Sequence, residues 1–444
     1  MLNLENQRVK YSNLFSYLIA LFPLALILGS FIAEMISFFC ILFFLIFLDR
    51  NHFKKYFLNN FSKFFIIFYI LILITSLINF YNFRSFIPAL FYFRVFLFTL
   101  SIWFILDNSN FFENKKKNIV IFTFLILIFD SLYQGFSGEN LIGYTIQGEG
   151  RISSFFNKEL ILGGYITRLL PFIIIISLLN VKGKINLITS SFFLALSLLV
   201  VIYSGERISS IMCIFYLILV FLINSRIRKF LLITLSILGF ILVSISIFDI
   251  GKTDLKKRLV DKTIEQISGD DVNPVLNERK GTERKLEKLF GKFYIFSYDH
   301  QAHYILASEM IKDSPVFGKG VRGFRWLCNQ YDEYKNIDNS GCSTHPHHTY
   351  VQIFVSTGII GFTMFLFLFF YILKIYYKNL GPALNQRNEN KIFQNIFIGI
   401  VIVNFLPIIP SGNFYNNWLS LLYFYPVGFY LYFKDKQDKH EKIS

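Results

Sequence analysis

Hydrophobic residues in this chain are gathered into long blocks separated by short polar joints. Twelve apolar runs stand out, at 14–32, 36–48, 64–80, 86–106, 119–132, 160–179, 185–203, 208–223, 230–250, 350–371, 392–409 and 418–433. A helix needs about 20 apolar residues to cross a bilayer, and several runs approach that length; 36–48 and 119–132 are the short ones. The pattern predicts an all-α polytopic membrane protein of about twelve transmembrane helices, with one long hydrophilic interruption between the ninth and tenth. Residues 1–250 would hold helices one to nine, 251–349 an external loop, 350–433 helices ten to twelve, and 434–444 a cytoplasmic tail. The first run is long and no small-residue cleavage site follows it, so no separate cleavable signal peptide is expected.

Composition sharpens this picture. The chain is 54% hydrophobic and 19% aromatic, with 56 Phe and only 16% charged residues. Soluble domains carry about 25% charged residues. A net charge of +15 would suggest a nucleic-acid partner in a soluble protein, but its placement points to a membrane. Arg8 and Lys10, Arg50 to Lys63, Lys115 to Lys117, Lys182 and Lys184, Arg226 to Lys229, Lys374 to Lys391, and Lys434 to Lys442 fall in alternate joints. The intervening short joints hold Arg84, Arg151, Lys158 and Arg207. This is the positive-inside pattern with both termini cytoplasmic, and it predicts no nucleic-acid partner. It places 135–159, 204–207 and the long 251–349 loop outside.

The external loop concentrates the chemistry. Of seven histidines, five fall between His300 and His348. Imidazole takes or gives a proton near neutral pH, so His345-Pro346-His347-His348 is a candidate for proton transfer; the plain alternative is a solvated loop. Within this loop, 253–269 has one apolar face at helical spacing and should lie along the membrane surface. The 270–292 stretch is charged and poorly patterned, and is expected to be mobile. A second helix is predicted at 300–312, with Asp299 as N-cap and Pro315 beyond its end. His300, His303 and Ala307 then share a face. Gly318-Lys319-Gly320-Val321-Arg322-Gly323 reads as a glycine-rich turn, not a dinucleotide site, because no strand leads into it. A weaker functional version has its backbone N–H groups, with Arg322 and Arg325, hold phosphate. An exported loop is oxidising, so Cys328 and Cys342 are expected to pair, against the alternative of two free thiols. Cys40 and Cys213 read as buried thiols.

Four ionisable groups stand in or beside apolar runs: Arg94, Asp130, Arg168, and Arg207 beside Glu206. Such groups are costly in a bilayer unless paired or facing water. Asp130 either neutralises Arg168 or joins it in a functional site, and Arg94 reads as structural. Arg207 is either an interfacial snorkelling arginine or a phosphate ligand, since guanidinium forks onto phosphate oxygens.

His347-His348, nine residues, then Gly358-Ile359-Ile360-Gly361 closes the external loop. With twelve runs and this motif, the chain resembles the O-antigen ligase family, bacterial inner-membrane glycosyltransferases that share a domain with O-antigen polymerases. In the family a His is followed by a polar residue, often Asn, nine residues and Gly-x-x-Gly; His347 takes the first place and His348 the second. Arg151-Ile-Ser-Ser-Phe-Phe-Asn is similar to its R-x-S-G-x-F segment, with Ser154 where glycine is usual. Gly205-Glu206-Arg207 occupies the place of its external arginine, and Asp313 to Gly320 resembles its D-x-P-x-x-G-x-G. The likeness covers about residues 14 to 410. One departure is His300, which stands where members commonly carry an arginine.

The resemblance implies a GT-C-like glycosyltransferase with its site on the periplasmic side. It would move a glycan from undecaprenyl diphosphate to a sugar hydroxyl of lipid A–core, or to another lipid-linked glycan in the polymerase variant. His347 would be the general base. Arg207, Arg325, Arg322, His300 and His303 would hold the diphosphate. Arg151, Glu206, His345, His348, Arg168 and Asp130 would support the site. Gly358 and Gly361 would let a neighbouring helix approach closely. Membrane lipids would surround the protein, and the lipid tail of the donor would lie between Phe-rich helices. No Asp-x-Asp metal motif is apparent in an external loop, so no metal or cofactor is expected. Two other classes stay open: a transporter with Asp130, Arg168 and Arg94 as a charge pathway, and a zinc site formed by His300, His303, His345, His347 and His348.

Overall fold

Short polar residues at the joints start the helices. Asp49, Asn59, Asn224 and Asn388 each accept the backbone N–H three residues on, and Asn82 with Ser85 forms a reciprocal capping box. These side chains satisfy N–H groups that a helix start otherwise leaves unpaired. The computed structural model describes residues 2–148, 150–180, 183–248, 257–268, 294–330, 341–384 and 388–443. The expected mobile stretch at 270–292 and the start of the 253–269 helix lie outside the described residues.

The helices in chain order are α1 (Leu2–Leu28), α2 (Ser30–Ile46), α3 (Arg50–Phe57), α4 (Asn60–Ile78), α5 (Phe83–Leu90), α6 (Phe93–Asp107), α7 (Asn114–Ser137), α8 (Leu162–Asn180), α9 (Lys184–Tyr203), α10 (Arg207–Ile223), α11 (Ser225–Ile247), α12 (Lys262–Ser268), α13 (Tyr298–Asp313), α14 (Gly323–Gln330), α15 (Thr349–Leu384), α16 (Glu389–Asn404) and α17 (Asn417–Ile443). Extended structure among the described residues is limited to two isolated bridges, Glu139 with Thr145 and Gln147 with Arg151.

Eight helices among the described residues are long and apolar enough to cross a membrane, and α2 and α10 are shorter apolar helices. This is a multi-pass membrane protein. The remaining two apolar runs coincide with α16 and the first half of α17, which continues past Phe433 to Ile443. Outward-facing Phe31 and Phe240 are each 75% exposed, as befits side chains that meet lipid. By contrast, every residue of α8 from Leu162 to Leu178 and of α16 from Ile392 to Asn404 is buried. Stacked and edge-on rings tie these inner helices to α1 and α17: Phe172 meets Tyr425, Phe429 and Phe397, and Phe22 meets Tyr425. A central α8 means that anything polar on it must find a protein partner or a cavity.

At one end of the bundle the 138–161 connection, the turn between α9 and α10, α12 to α14, the 341–348 segment and the turn between α16 and α17 come together. Asp130 at the end of α7 organises the first of these. It accepts from Asn140 Nδ2 (3.2 Å), from the amide of Leu141 (2.9 Å) and from the Ser154 hydroxyl. It therefore does not neutralise Arg168, the pairing that sequence alone had offered. Ser154, where the family resemblance expects glycine, has φ +51, and its amide donates to Gln134 Oε1 at 2.7 Å. A left-handed backbone explains the usual glycine; here the bonds to Asp130 and Gln134 hold a serine in the same conformation.

Candidate active site

Helix α13 starts at Ser297, whose hydroxyl accepts the amide of His300; Ser297, not the expected Asp299, is the cap. Its helical spacing turns His300 and His303 to one face, towards His347. Ring centroids of His303 and His347 lie 5.1 Å apart, of His300 and His347 5.8 Å, and of His345 and His347 4.0 Å. His303 Nδ1 lies 2.9 Å from the Gly341 carbonyl, which only accepts, so the proton is on that nitrogen. The segment carrying His345, His347 and His348 is tied to α14 by the Cys328–Cys342 disulfide, with Cα atoms 5.4 Å apart.

His347 has φ +52, uncommon for a residue with a Cβ and characteristic of sites that aim one side chain. Its carbonyl accepts from the amide of Ser411 at 2.9 Å, and its Nε2 lies 3.2 Å from Ser343 Oγ. Burial, then the neighbouring His303 and His300, bring its pKa down to about 4. Burial likewise lowers His345 to about 3 and His300 to about 4, and lowers His348. At neutral pH these rings are uncharged, so each retains a nitrogen lone pair able to accept a proton.

His347 opens onto a cavity of about 870 Å³ lined also by His300, His345, Arg325, Arg168 and Glu206, with Leu26, Ile27, Phe155, Trp418 and Leu419 on its apolar side. A second cavity of about 390 Å³ holds Arg94 and Arg322. Arg325, Thr344, Asn413 and Asn416 line both, so the two spaces share a wall. The metal reading gains nothing from this geometry: among the described residues no group of three potential ligands converges on a common point.

His348 faces away from the cavity and starts α15. Its carbonyl accepts the amide of Gln352 at 2.8 Å, and its Nδ1 takes the amide of Val351 at 3.4 Å. That is the work of an N-cap, and it accounts for the asparagine usual at this place, since asparagine is among the best caps. Ten residues on, α15 breaks at Gly358, which has φ 65 and ψ −164. The Pro315 to Gly320 segment fills the break: Ile359 N donates to Pro315 O (2.8 Å), Lys319 N to Val355 O (2.6 Å) and Gly320 N to Ser356 O (3.0 Å). Two expectations change as a result. Gly358 admits this turn, not a neighbouring helix, while at Gly361 the nearest other element is Leu71 of α4. The backbone amides of the glycine-rich turn are already bonded within the protein, including Gly318 N to Ser314 O and Val321 N to Ser76 Oγ, so they do not cradle phosphate.

Arg207 lies outside the cavity lining and bonds Thr263 Oγ1 (3.0 Å) and Gln266 of α12. It stays close enough to His300 to disfavour its protonation, after burial and His303. Arg151 packs beside Gly205, opposite Arg258, whose Nε donates to the Gly205 carbonyl (3.3 Å). Glu206 accepts the amides of Gly163 (2.7 Å) and Gly164 (3.1 Å) and the Ser209 hydroxyl (2.7 Å), so it closes the start of α8. Burial raises its pKa. Arg94 pairs with Glu34 at 2.9 Å, the structural role expected for it.

Sequence reading missed the turn between α16 and α17. Gln352 Nε2 bonds Asn413 (2.7 Å), Thr349 Oγ1 meets Ser411 Oγ (2.7 Å), and Asn413 and Asn416 line both cavities. The only signal was a Ser-Gly-Asn-rich joint, which any turn would show. Arg258 was missed because one arginine in a charged loop carries no mark.

Residues 192–366 match the model of a protein family described as O-Antigen ligase. The matched stretch runs from within α9 past Gly361 and contains Arg207, His300, Arg325 and His347. It bears out the resemblance drawn from the His-to-Gly motif. No curated protein matches the chain.

Proposed function

We propose that this protein transfers a glycan from undecaprenyl diphosphate to a sugar hydroxyl of lipid A–core at the periplasmic face of the bacterial inner membrane. The observation that carries the reading is the uncharged His347 on a cavity whose wall, including Arg325, is shared with a second cavity. A group transfer needs two substrates meeting at one base. The acceptor hydroxyl attacks C1 of the donor sugar, the C1–O bond to diphosphate breaks, and the hydroxyl proton passes to the His347 imidazole. Arg325 faces the charge that develops on the leaving diphosphate, and Arg207 contributes from the outer side. The apolar side of the larger cavity, from Leu26 to Leu419, suits the first isoprenes of the carrier.

By itself, a His347 pKa near 4 makes a weak base. A bound diphosphate brings negative charge beside it and raises that pKa, so the donor itself would turn the imidazole into a competent acceptor. The test is the surface glycolipid profile of a deletion strain, complemented with wild type or His347→Ala. Ligation predicts that polymer disappears from lipid A–core while lipid-linked polymer accumulates, and that His347→Ala fails to restore it, with transfer down about two to four orders of magnitude. A single repeat unit retained on the core would mean polymerisation instead, and full complementation by His347→Ala would remove the base assignment.

A further inference from the structure

Arg94 and Arg168 both stand on helices of the bundle, and their surroundings differ. Arg94 meets Glu34 at 2.9 Å. The buried Lys116, near the start of α7, likewise has Glu113 at 3.2 Å. Arg168 sits on the fully enclosed stretch of α8, is 8% exposed, and has no carboxylate partner among the described residues. Its neighbours are neutral: Nη1 donates to the Gly164 carbonyl (2.8 Å), and Nη2 lies 3.4 Å from the Tyr423 hydroxyl and 3.8 Å from Met212 Sδ. The guanidinium carbon stands 5.1 Å from the centre of the Tyr423 ring, and Nε has no partner among the described residues. Glu206 lies across Gly164 from it, with its oxygens engaged by two amides and a hydroxyl. A buried guanidinium that touches no carboxylate is costly to keep, so a protein that keeps one has a use for it. Arg168 also lines the cavity that holds His347, His300 and Arg325.

We propose that Arg168 is the inner anion-binding residue of this cavity and takes the diphosphate of the polyprenyl-linked donor. The assignment rests on the donor reading given above and adds a residue to it. Arg325, at the exposed wall, and Arg168, on the enclosed α8, hold the diphosphate from two sides. The ligand supplies in direct contact the negative charge that Glu206 offers only from across Gly164. Gly164 is part of the same arrangement, because a Cβ there would stand 2.7 Å from Arg168 Nη1 and 3.3 Å from Glu206 Oε2.

The experiment measures thermal unfolding of the purified full-length protein in detergent, with farnesyl diphosphate as probe and farnesol as its uncharged control. Wild type should be stabilised by the diphosphate and not by the alcohol. Arg168→Gln should unfold no lower than wild type without ligand, because a buried charge that touches no counter-charge has been removed, and should bind the diphosphate about ten- to a hundredfold more weakly. Arg168→Lys should keep part of the response, since ammonium retains the charge but not the fork. An Arg168→Gln protein that is less stable when empty, or that responds to the diphosphate as wild type does, overturns the assignment and leaves Arg168 a structural residue. A wild type indifferent to the diphosphate overturns the donor reading itself, and the assignment with it.

Discussion

Replacing Gly358 by alanine puts a methyl group where the Pro315 to Gly320 segment crosses the broken α15. The new Cβ would overlap the Val316 carbonyl and stand 2.7 Å from the amide nitrogen of Phe317. Backbone atoms cannot swing aside as a side chain does. Residue 358 also has φ 65 and ψ −164, a conformation that is essentially glycine's alone and costs an alanine about 1–3 kcal/mol. If the segment retreats, the bonds from Ile359, Lys319 and Gly320 across the break weaken together, at about 1 kcal/mol each. The sum is about 4–6 kcal/mol, a large share of the stability of an ordinary domain. Gly361 is the internal control. A Cβ there overlaps the Thr357 hydroxyl, stands 2.6 Å from Thr357 Cβ and comes within 3.4 Å of Leu71 Cδ2, so one turn of the helix must give, while alanine itself favours the helix by up to about 1 kcal/mol. Gly361→Ala should therefore cost less than Gly358→Ala, because its backbone is already helical and no backbone of another segment stands in the way. Denaturation midpoints of both variants in detergent decide the matter. A Gly358→Ala protein as stable as wild type, or a Gly361→Ala protein less stable than Gly358→Ala, refutes the reasoning.

His348→Asn should retain both stability and transfer, because the amide oxygen replaces Nδ1 as the cap of α15, whereas His348→Ala should lose about 1 kcal/mol; equal stability of the two would show that the cap is immaterial. The pH profiles should separate. Protonation removes the base, so activity falls on the acid side; the limb of kcat/KM reports free enzyme, near the His347 value of about 4, and the limb of kcat lies higher because bound diphosphate favours the imidazolium. A kcat limb at or below that of kcat/KM contradicts the charge argument. Replacing Cys328 and Cys342 by serine should destabilise the external segment by about 3 kcal/mol, measured as faster proteolysis there, since the bridge closes a loop of some 15 residues; unchanged proteolysis would show that α14 holds the segment unaided.

The helices of this protein were legible in its sequence because crossing a bilayer is a local requirement: length and apolar content decide it run by run. The His347-to-Gly361 spacing was equally legible, since it joins a loop to the helix it enters. Cys328 and Cys342 could be singled out because they alone share the external loop. The destination of each charge was not legible. Asp130 and Arg168 stand in neighbouring apolar runs, and nothing local says that one turns to Ser154 and Asn140 while the other turns into a cavity. The glycines show the same division. Sequence marks Gly318 and Gly358 as special, but only the folded chain shows that each is glycine because the other's segment lies against it. Pairing of charges and close backbone approach depend on which elements become neighbours, and that is settled by packing over the whole bundle. The resulting wall, which joins Ser30 to Arg325, Thr344, Asn413, Asn416 and Trp418, draws on segments from near both ends of the chain, a distance over which no periodicity carries information.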